Sequence, residues 1–215
     1  MIDPTALVAS LERAVGPLDA ADKASLSTKK GASYEAFTLH AVGERLRIGH
    51  GWQWHHPPGN SFRFSVRSGC PLDLAMARYS TVRSPEAWLV PSVTVVGKSG
   101  WTHDLDIAVL KRGRQSGTPR WTRVRGALEC KNEDAQGPGA ARDLVGLAAE
   151  LRLGSQYRLH QSRPFPACQF VTAGTITDTA KGILARWRLD AREGMTSATA
   201  GAIAGDIANA LVASI

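Results

Sequence analysis

An α/β fold is what the sequence predicts, on three observations. The segments His103–Leu110 and Gly126–Asn132 alternate apolar and polar residues with the period of a strand. The segments 32–47 and 140–153 repeat apolar residues at the spacing of one helix face. Hydrophobic residues make up 43% of the 215, enough to fill a core and too many for a disordered chain.

Taken in order, Pro4–Val15 reads as a short helix with Leu7, Val8 and Leu11 on one side, ended by Gly16-Pro17. Residues 17–30 are polar and read as a loop or a loose second helix. A stronger helix runs from Ala32 to Arg47, with Ser33 as its candidate N-cap. Glu35, Leu39, Val42 and Leu46 share one sector of it, so a carboxylate heads an apolar stripe. Either Glu35 reaches solvent at the positive end of the helix dipole, or it points across the buried face toward a metal or a lysine. Tyr34 and Phe37 read as packing residues.

Gly49–Asn60 is turn-rich. Its His50, His55 and His56 lack a nearby cysteine and the i, i+4 spacing of helical zinc ligands, so zinc is not expected. Trp52 and Trp54 read as packing residues, with stacking on bases as the alternative. Ser61–Arg67 alternates as a strand with one wet face. Leu72–Val82 reads as helix or strand, broken by Ser84-Pro85, and Val93–Val96 as a short strand. Lys98-Ser99-Gly100 turns the chain into Trp101 and the first polar strand.

Lys111–Arg120 is a basic loop, solvated or laid against phosphates. Trp121–Lys131 is the next strand, and 133–139 a loop. Ala140–Leu153 is a helix with Leu144, Leu147, Ala148 and Leu151 on one face. Ala167–Ala173 reads as a buried strand, and Thr175–Asp178 offers caps for a helix from Thr179 to Arg188. The Ala/Gly-rich tail, Thr196–Ile215, places Ile203, Ile207, Leu211 and Ile215 at fourfold spacing. It reads as a packing helix whose small residues allow close approach, including across a dimer. The expected division is an N-terminal helical extension over 1–30, a main domain over 31–190 and the packing helix over 191–215.

The formal net charge of +7 favours polyanionic partners such as nucleic acid. No apolar run approaches the roughly 20 residues of a spanning helix. Asp206 and Asn209 speak against membrane insertion of the tail. Asp3 and Glu12 do not fit a signal peptide. Cys70, Cys130 and Cys168 lie far apart, as free thiols in a reducing compartment do, and a cytoplasmic location is expected.

The chemistry is concentrated in the two polar strands. Asp104 and Asp106 share a face of the first, and Glu129 and Lys131 share a face of the second. If the strands pair with those faces aligned, Asp106, Glu129 and Lys131 converge. Two carboxylates beside a lysine suit a hard divalent cation, with the lysine near a water or phosphate oxygen. The alternative is a structural ion pair on a wet sheet face, worth roughly 0–1 kcal/mol.

Four segments in order resemble motifs of the PD-(D/E)xK nuclease superfamily, and within it the Mrr-like restriction endonucleases. They are Gly31-Ala32-Ser33-Tyr34-Glu35, His103–Val109, Leu128-Glu129-Cys130-Lys131 and the threonine-rich turn within Phe170–Ala180. The likeness spans about residues 30–190, with 22 residues between Asp106 and Glu129. Asn132 stands where many Mrr-like enzymes carry a nearby glutamine, and 49–100 is longer than a minimal core needs.

The resemblance implies a restriction-endonuclease-like core: a central mixed sheet of four to five strands flanked by helices. It implies Asp106 and Glu129 as ligands of Mg²⁺, or Mn²⁺ as substitute, with the carbonyl of Cys130 as a further ligand. Lys131 would orient or deprotonate the attacking water, and Glu35 would support the metal. Asp104 is the rival for the Asp106 role. The implied activity is metal-dependent endonucleolytic hydrolysis of DNA, in restriction, phage defence or repair. The competing reading is a catalytically silent nucleic-acid-binding or assembly module that keeps the fold. With no separate reader domain evident, a homodimer or a partner protein is expected to supply specificity.

Overall fold

Helix α1 (Pro4–Val15) starts where Asp3 accepts the Thr5 amide at 2.9 Å, with proline just inside the first turn. Asp19 caps α2 (Ala20–Thr28) in the same way, accepting the Ala21 amide at 2.7 Å. The computed structural model describes residues 3–54, 77–81, 84–111, 118–151 and 168–215. Outside them fall the expected strand 61–67, most of the segment 72–82, Cys70, His55 and His56, and the centre of the basic loop at 112–117.

The chain continues through α3 (Lys30–His50), β1 (Gln53–Trp54), β2 (Ala77–Thr81), β3 (Ser84–Val96), β4 (Thr102–Lys111) and β5 (Val124–Lys131). Then come β6 (Ala135–Gln136), α4 (Pro138–Leu151), β7 (Cys168–Thr172), β8 (Thr175–Ile176), α5 (Asp178–Arg186), β9 (Asp190–Arg192) and α6 (Ala200–Ala213). The principal sheet runs β1-β2-β3-β4-β5-β7-β9. Its neighbours are antiparallel from β1 to β5 and parallel from β5 to β9. Five strands of five residues or more form its body, with short strands at the edges, so the expected mixed α/β sheet is present.

Hydrophobic residues on both faces make two cores. On one, Leu39, Val42 and Leu46 of α3, Ile207 and Leu211 of α6 and Leu11 of α1 pack with Ile107, Val109 and Leu128. On the other, Leu144 and Leu151 of α4 and Leu184 of α5 pack with Ala108, Leu110, Ala127 and Phe170. Over Gly126–Leu128 strand β5 is thus buried on both faces, and its end at Glu129–Lys131 opens to solvent on one of them.

Several expectations need correction. Of the two readings for residues 17–30, the second helix is the one present, over 20–28 and capped by Asp19. Ser33 is not an N-cap: it lies inside α3, and its hydroxyl donates to the carbonyls of Leu26 and Lys29, tying the end of α2 to α3. Strand β3 begins at Ser84 and runs through Pro85 and Pro91. Ladder bonds to the neighbouring strands outweigh two residues that ordinarily end strands. The loop expected over 133–139 contains β6, which pairs in parallel with β8. Strand β9 carried no periodic signal in its three residues.

Gly174 makes the β7–β8 turn possible. A Cβ there would lie 2.2 Å from the Glu133 carbonyl oxygen and 2.3 Å from that of Asp134. Both obstacles are backbone, so the space cannot be cleared by a rotamer change. Gly174→Ala is expected to cost ~1–3 kcal/mol, read in a thermal melt as a fall of roughly 2–10 °C.

Candidate active site

The antiparallel register fixes which side chains meet. The β4–β5 ladder pairs Ala108 with Ala127 and Ile107 with Leu128, where it ends. Continued by one step it sets Asp106 opposite Glu129. At that level the strands part, and the Cys130 amide donates to Asp106 Oδ2 at 2.7 Å instead of to a β4 carbonyl. The β3 side is interrupted at the same level. Pro91 pairs with Ile107 and Val93 with Leu105, while Ser92 and Asp106 between them are skipped. Ser92 has φ 41°, a left-handed conformation unfavourable for a residue with a side chain. Asp106 therefore sits at a break in both ladders, with its carboxylate in the fork.

Three further side chains reach this fork. Lys131 Nζ bonds Glu129 Oε1 at 2.7 Å, with 38% of the lysine side chain and 22% of the glutamate side chain exposed. Glu35 enters from α3, half-buried one turn before the fully buried Leu39. The apolar stripe that it heads faces the sheet, so its carboxylate lies toward Asp106 and Glu129 rather than out in solvent. The structure thus joins Glu129 and Lys131 beside Asp106 and sets Glu35 within their field.

Their electrostatics are those of an anionic cluster short of positive charge. Burial, then the charges of Asp106 and Glu129, push Glu35 up to about 8 against the opposing pull of Lys131. Burial and Glu129 push Asp106 up to about 6, against the Cys130 amide bond, which favours its charge. For Lys131, burial disfavours the charge, but the bond to Glu129 and the field of Asp106 outweigh it and hold the ammonium above its ordinary value.

Cys130 contributes backbone here. Its thiol is buried in the α3-side core with Tyr34, and burial raises it far from ionisation. Asp104 lies on the cleft side, beside Glu129 and Lys131, where its charge adds to the repulsion on Asp106. It is exposed on β4, and its Oδ1 accepts the Thr94 hydroxyl at 2.6 Å. His50 hydrogen-bonds Asn209 at 3.0 Å, away from this cluster.

A cleft of about 330 Å³ opens over the site between β4, β5 and α4, lined among others by His103, Asp104, Glu129, Lys131 and Asp143. Asp106 and Glu35 lie outside its lining, on the more buried side of the cluster. His103 and Asp143 escaped the sequence reading. The signal for Asp143 was its position beside Leu144 at the start of an amphipathic helix that had to cover this sheet face.

Among the described residues, no three His, Cys, Asp or Glu side chains stand close enough to hold an ion by themselves. Mg²⁺ does not require that. It is commonly held by one or two carboxylates, with waters and substrate phosphates completing its octahedron. The donor set of Asp106 and Glu129 is chemically of the kind such an ion takes.

No family model matches the chain, and no curated protein does. A solved structure, described as the crystal structure of a protein of unknown function, AF1548, is similar at 12% identity with a TM-score of 0.34. The match covers 52% of this chain and 51% of that one, so the chain spans about half the length of the structure it matches. A likeness of that size carries no argument about fold or function. Among the described residues no helix is long and apolar enough to cross a membrane.

Proposed function

We propose that the chain is a metal-dependent nuclease of the PD-(D/E)xK type with a restriction-endonuclease-like core, acting on the phosphodiester bonds of DNA. The observation that carries this reading is the Glu129–Lys131 ion pair beside Asp106 where β4 and β5 separate, with Glu35 in the field of all three. A structural ion pair alone gives no reason to place two further carboxylates in its field, where burial and repulsion work against their charge. The net charge of +7 is of the sign a polyanionic substrate requires.

Asp106, Glu129 and the main-chain carbonyl of Cys130 would hold Mg²⁺ or Mn²⁺. When bound, the ion supplies Lewis acidity to the scissile phosphate and a lowered pKa to a bound water. The remaining work falls to side chains. Lys131 Nζ sits on the cleft side of the cluster, where it can hydrogen-bond an attacking water and stabilise charge growing on a non-bridging phosphate oxygen. The Cys130 amide fixes one oxygen of Asp106, leaving the other directed away from that bond. Glu35 holds a proton near neutrality while no cation is present, and would release it to support the ion once the neighbouring carboxylates hold one.

A binding module without activity is the second reading, favoured by the engagement of Lys131 with Glu129. One assay separates the two. Supercoiled plasmid is incubated with the protein in Mg²⁺ or Mn²⁺, against EDTA, beside Lys131→Ala. Metal-dependent nicking or linearisation, reduced roughly 10²–10⁴-fold in the variant, is expected. Salt-sensitive DNA binding with no cleavage by the unaltered protein supports the binding module, and undiminished cleavage by Lys131→Ala removes the mechanism.

A further inference from the structure

The turn that joins β3 to β4 holds a large apolar side chain in water. Trp101 is 76% exposed, against 1% for Trp52 and 9% for Trp88. Exposing an indole gains nothing for the fold, since burying one is among the larger apolar contributions a residue can make. Yet the backbone beneath it is firmly held. The Gly97 amide donates to the Trp101 carbonyl at 2.7 Å, and the Gly100 amide to the Gly97 carbonyl at 3.2 Å, with Gly100 at φ 93°.

The turn is also bonded to the end of α4. The Lys98 amide donates to the Glu150 carbonyl at 2.9 Å. The Ser99 amide and hydroxyl donate to Glu150 Oε2 at 3.0 and 2.6 Å. Gly97 lies so close beneath that a Cβ there would stand 2.5 Å from the same oxygen. Three bonds to one glutamate fix a turn whose tip touches no core. This is the construction of a rigid platform.

Its position gives the platform a use. Trp101 directly precedes Thr102, His103 and Asp104, which line the cleft over Glu129 and Lys131, and α4, which anchors the turn, supplies another wall of that cleft. Lys98, exposed in the same turn, adds a positive charge to it. An exposed aromatic face in a basic turn, one residue before the cleft lining, suits an unstacked nucleobase and its adjoining phosphate.

We propose that Trp101 is a positioning residue that stacks on a base of single-stranded or locally opened nucleic acid and sets the strand in the cleft. This rests on the nuclease reading for what lies in the cleft, but its own test needs no cleavage. Binding of an oligonucleotide carrying 2-aminopurine is measured in EDTA, single-stranded and as a duplex, with the unaltered protein, Trp101→Ala and Trp101→Phe.

Stacking on the indole is expected to quench the 2-aminopurine and to favour the single strand. Trp101→Ala is expected to bind it roughly 10-fold or more weakly and to lose the quenching, while its melting temperature is unchanged and Trp101→Phe recovers most of the affinity. Equal binding by Trp101→Ala, or no binding by any of the three proteins, overturns the proposal. If Trp101→Ala binds equally while Lys131→Ala abolishes plasmid cleavage, the platform is wrong and the nuclease stands. If the quenching behaves as expected and no metal ion supports cleavage, the platform stands on a binding module.

Discussion

Asp106→Asn is expected to lower DNA cleavage by roughly 10²–10⁴-fold and at the same time to make the protein more stable at neutral pH. The two effects have one cause. Asn keeps an oxygen in place to accept the Cys130 amide, which Asp106 now does at 2.7 Å. It removes a charge that burial and Glu129 already disfavour, pushing Asp106 up to about 6. A displacement of that size corresponds to about 1–3 kcal/mol of burial penalty and repulsion relieved above pH 6.

Asp106→Ala separates the terms. It too removes the charge, but it leaves the Cys130 amide without its acceptor inside the fork, at a cost of ~1–3 kcal/mol. The alanine variant should therefore show little or none of the gain in melting temperature that the asparagine variant shows. Mg²⁺ should raise the melting temperature of the unaltered protein by binding the folded state alone, and do so far less for either variant. A destabilised Asp106→Asn protein would mean that the carboxylate is a structural acceptor whose charge the fold needs, which is the ion-pair reading.

The periods of the two polar strands and of α3 made the main elements legible, because side-chain alternation follows from backbone geometry whatever the context. They also placed Glu129 with Lys131, and Glu35 at the head of its stripe. The pairing of β4 with β5 was an assumption that the register supports, since Ile107 meets Leu128.

What stayed hidden depends on partners distant in sequence. The bond from the Cys130 amide to Asp106 exists because the strands diverge there, and no residue type announces divergence. Asp104 and Asp106 differ by position alone, one exposed beside Thr94 and the other set in the fork. Pro85 pointed away from a strand that extends from Ser84 to Val96, because the pairing of its other residues outweighed that local preference. Strands as short as β6, β8 and β9 hold too few residues to express a period. Gly174 is required by backbone of the β5–β6 connection, a contact that a linear reading cannot contain.

Glu35 carries the largest expected dependence on pH. Its carboxyl in the folded protein is pushed up to about 8, first by burial and then by Asp106 and Glu129. In the unfolded chain it ionises near the ordinary value of about 4.3. Below that value both states hold the proton, and the folded state has its full stability. Between it and about 8 the unfolded chain has released the proton while the folded chain still binds it, so each rise in pH favours unfolding. Above about 8 both are ionised and the dependence ends.

At ~1.4 kcal/mol per pKa unit, the loss across that window is on the order of 3–5 kcal/mol. Urea denaturation in EDTA at intervals from pH 5 to 9 should show it as a midpoint that falls with pH, and Glu35→Gln should flatten the fall by removing its largest contributor. Asp106 contributes in the same direction, but its window closes near pH 6, so the decline between pH 6.5 and 8 belongs to Glu35. A divalent cation held by the neighbouring carboxylates would lower Glu35 toward its ordinary value and release its proton. Saturating Mg²⁺ should then restore stability most at pH 7–8, and in Glu35→Gln that pH-dependent part of the gain should disappear. An unaltered protein whose midpoint stays flat across this range would place the Glu35 carboxylate in water, outside the cluster.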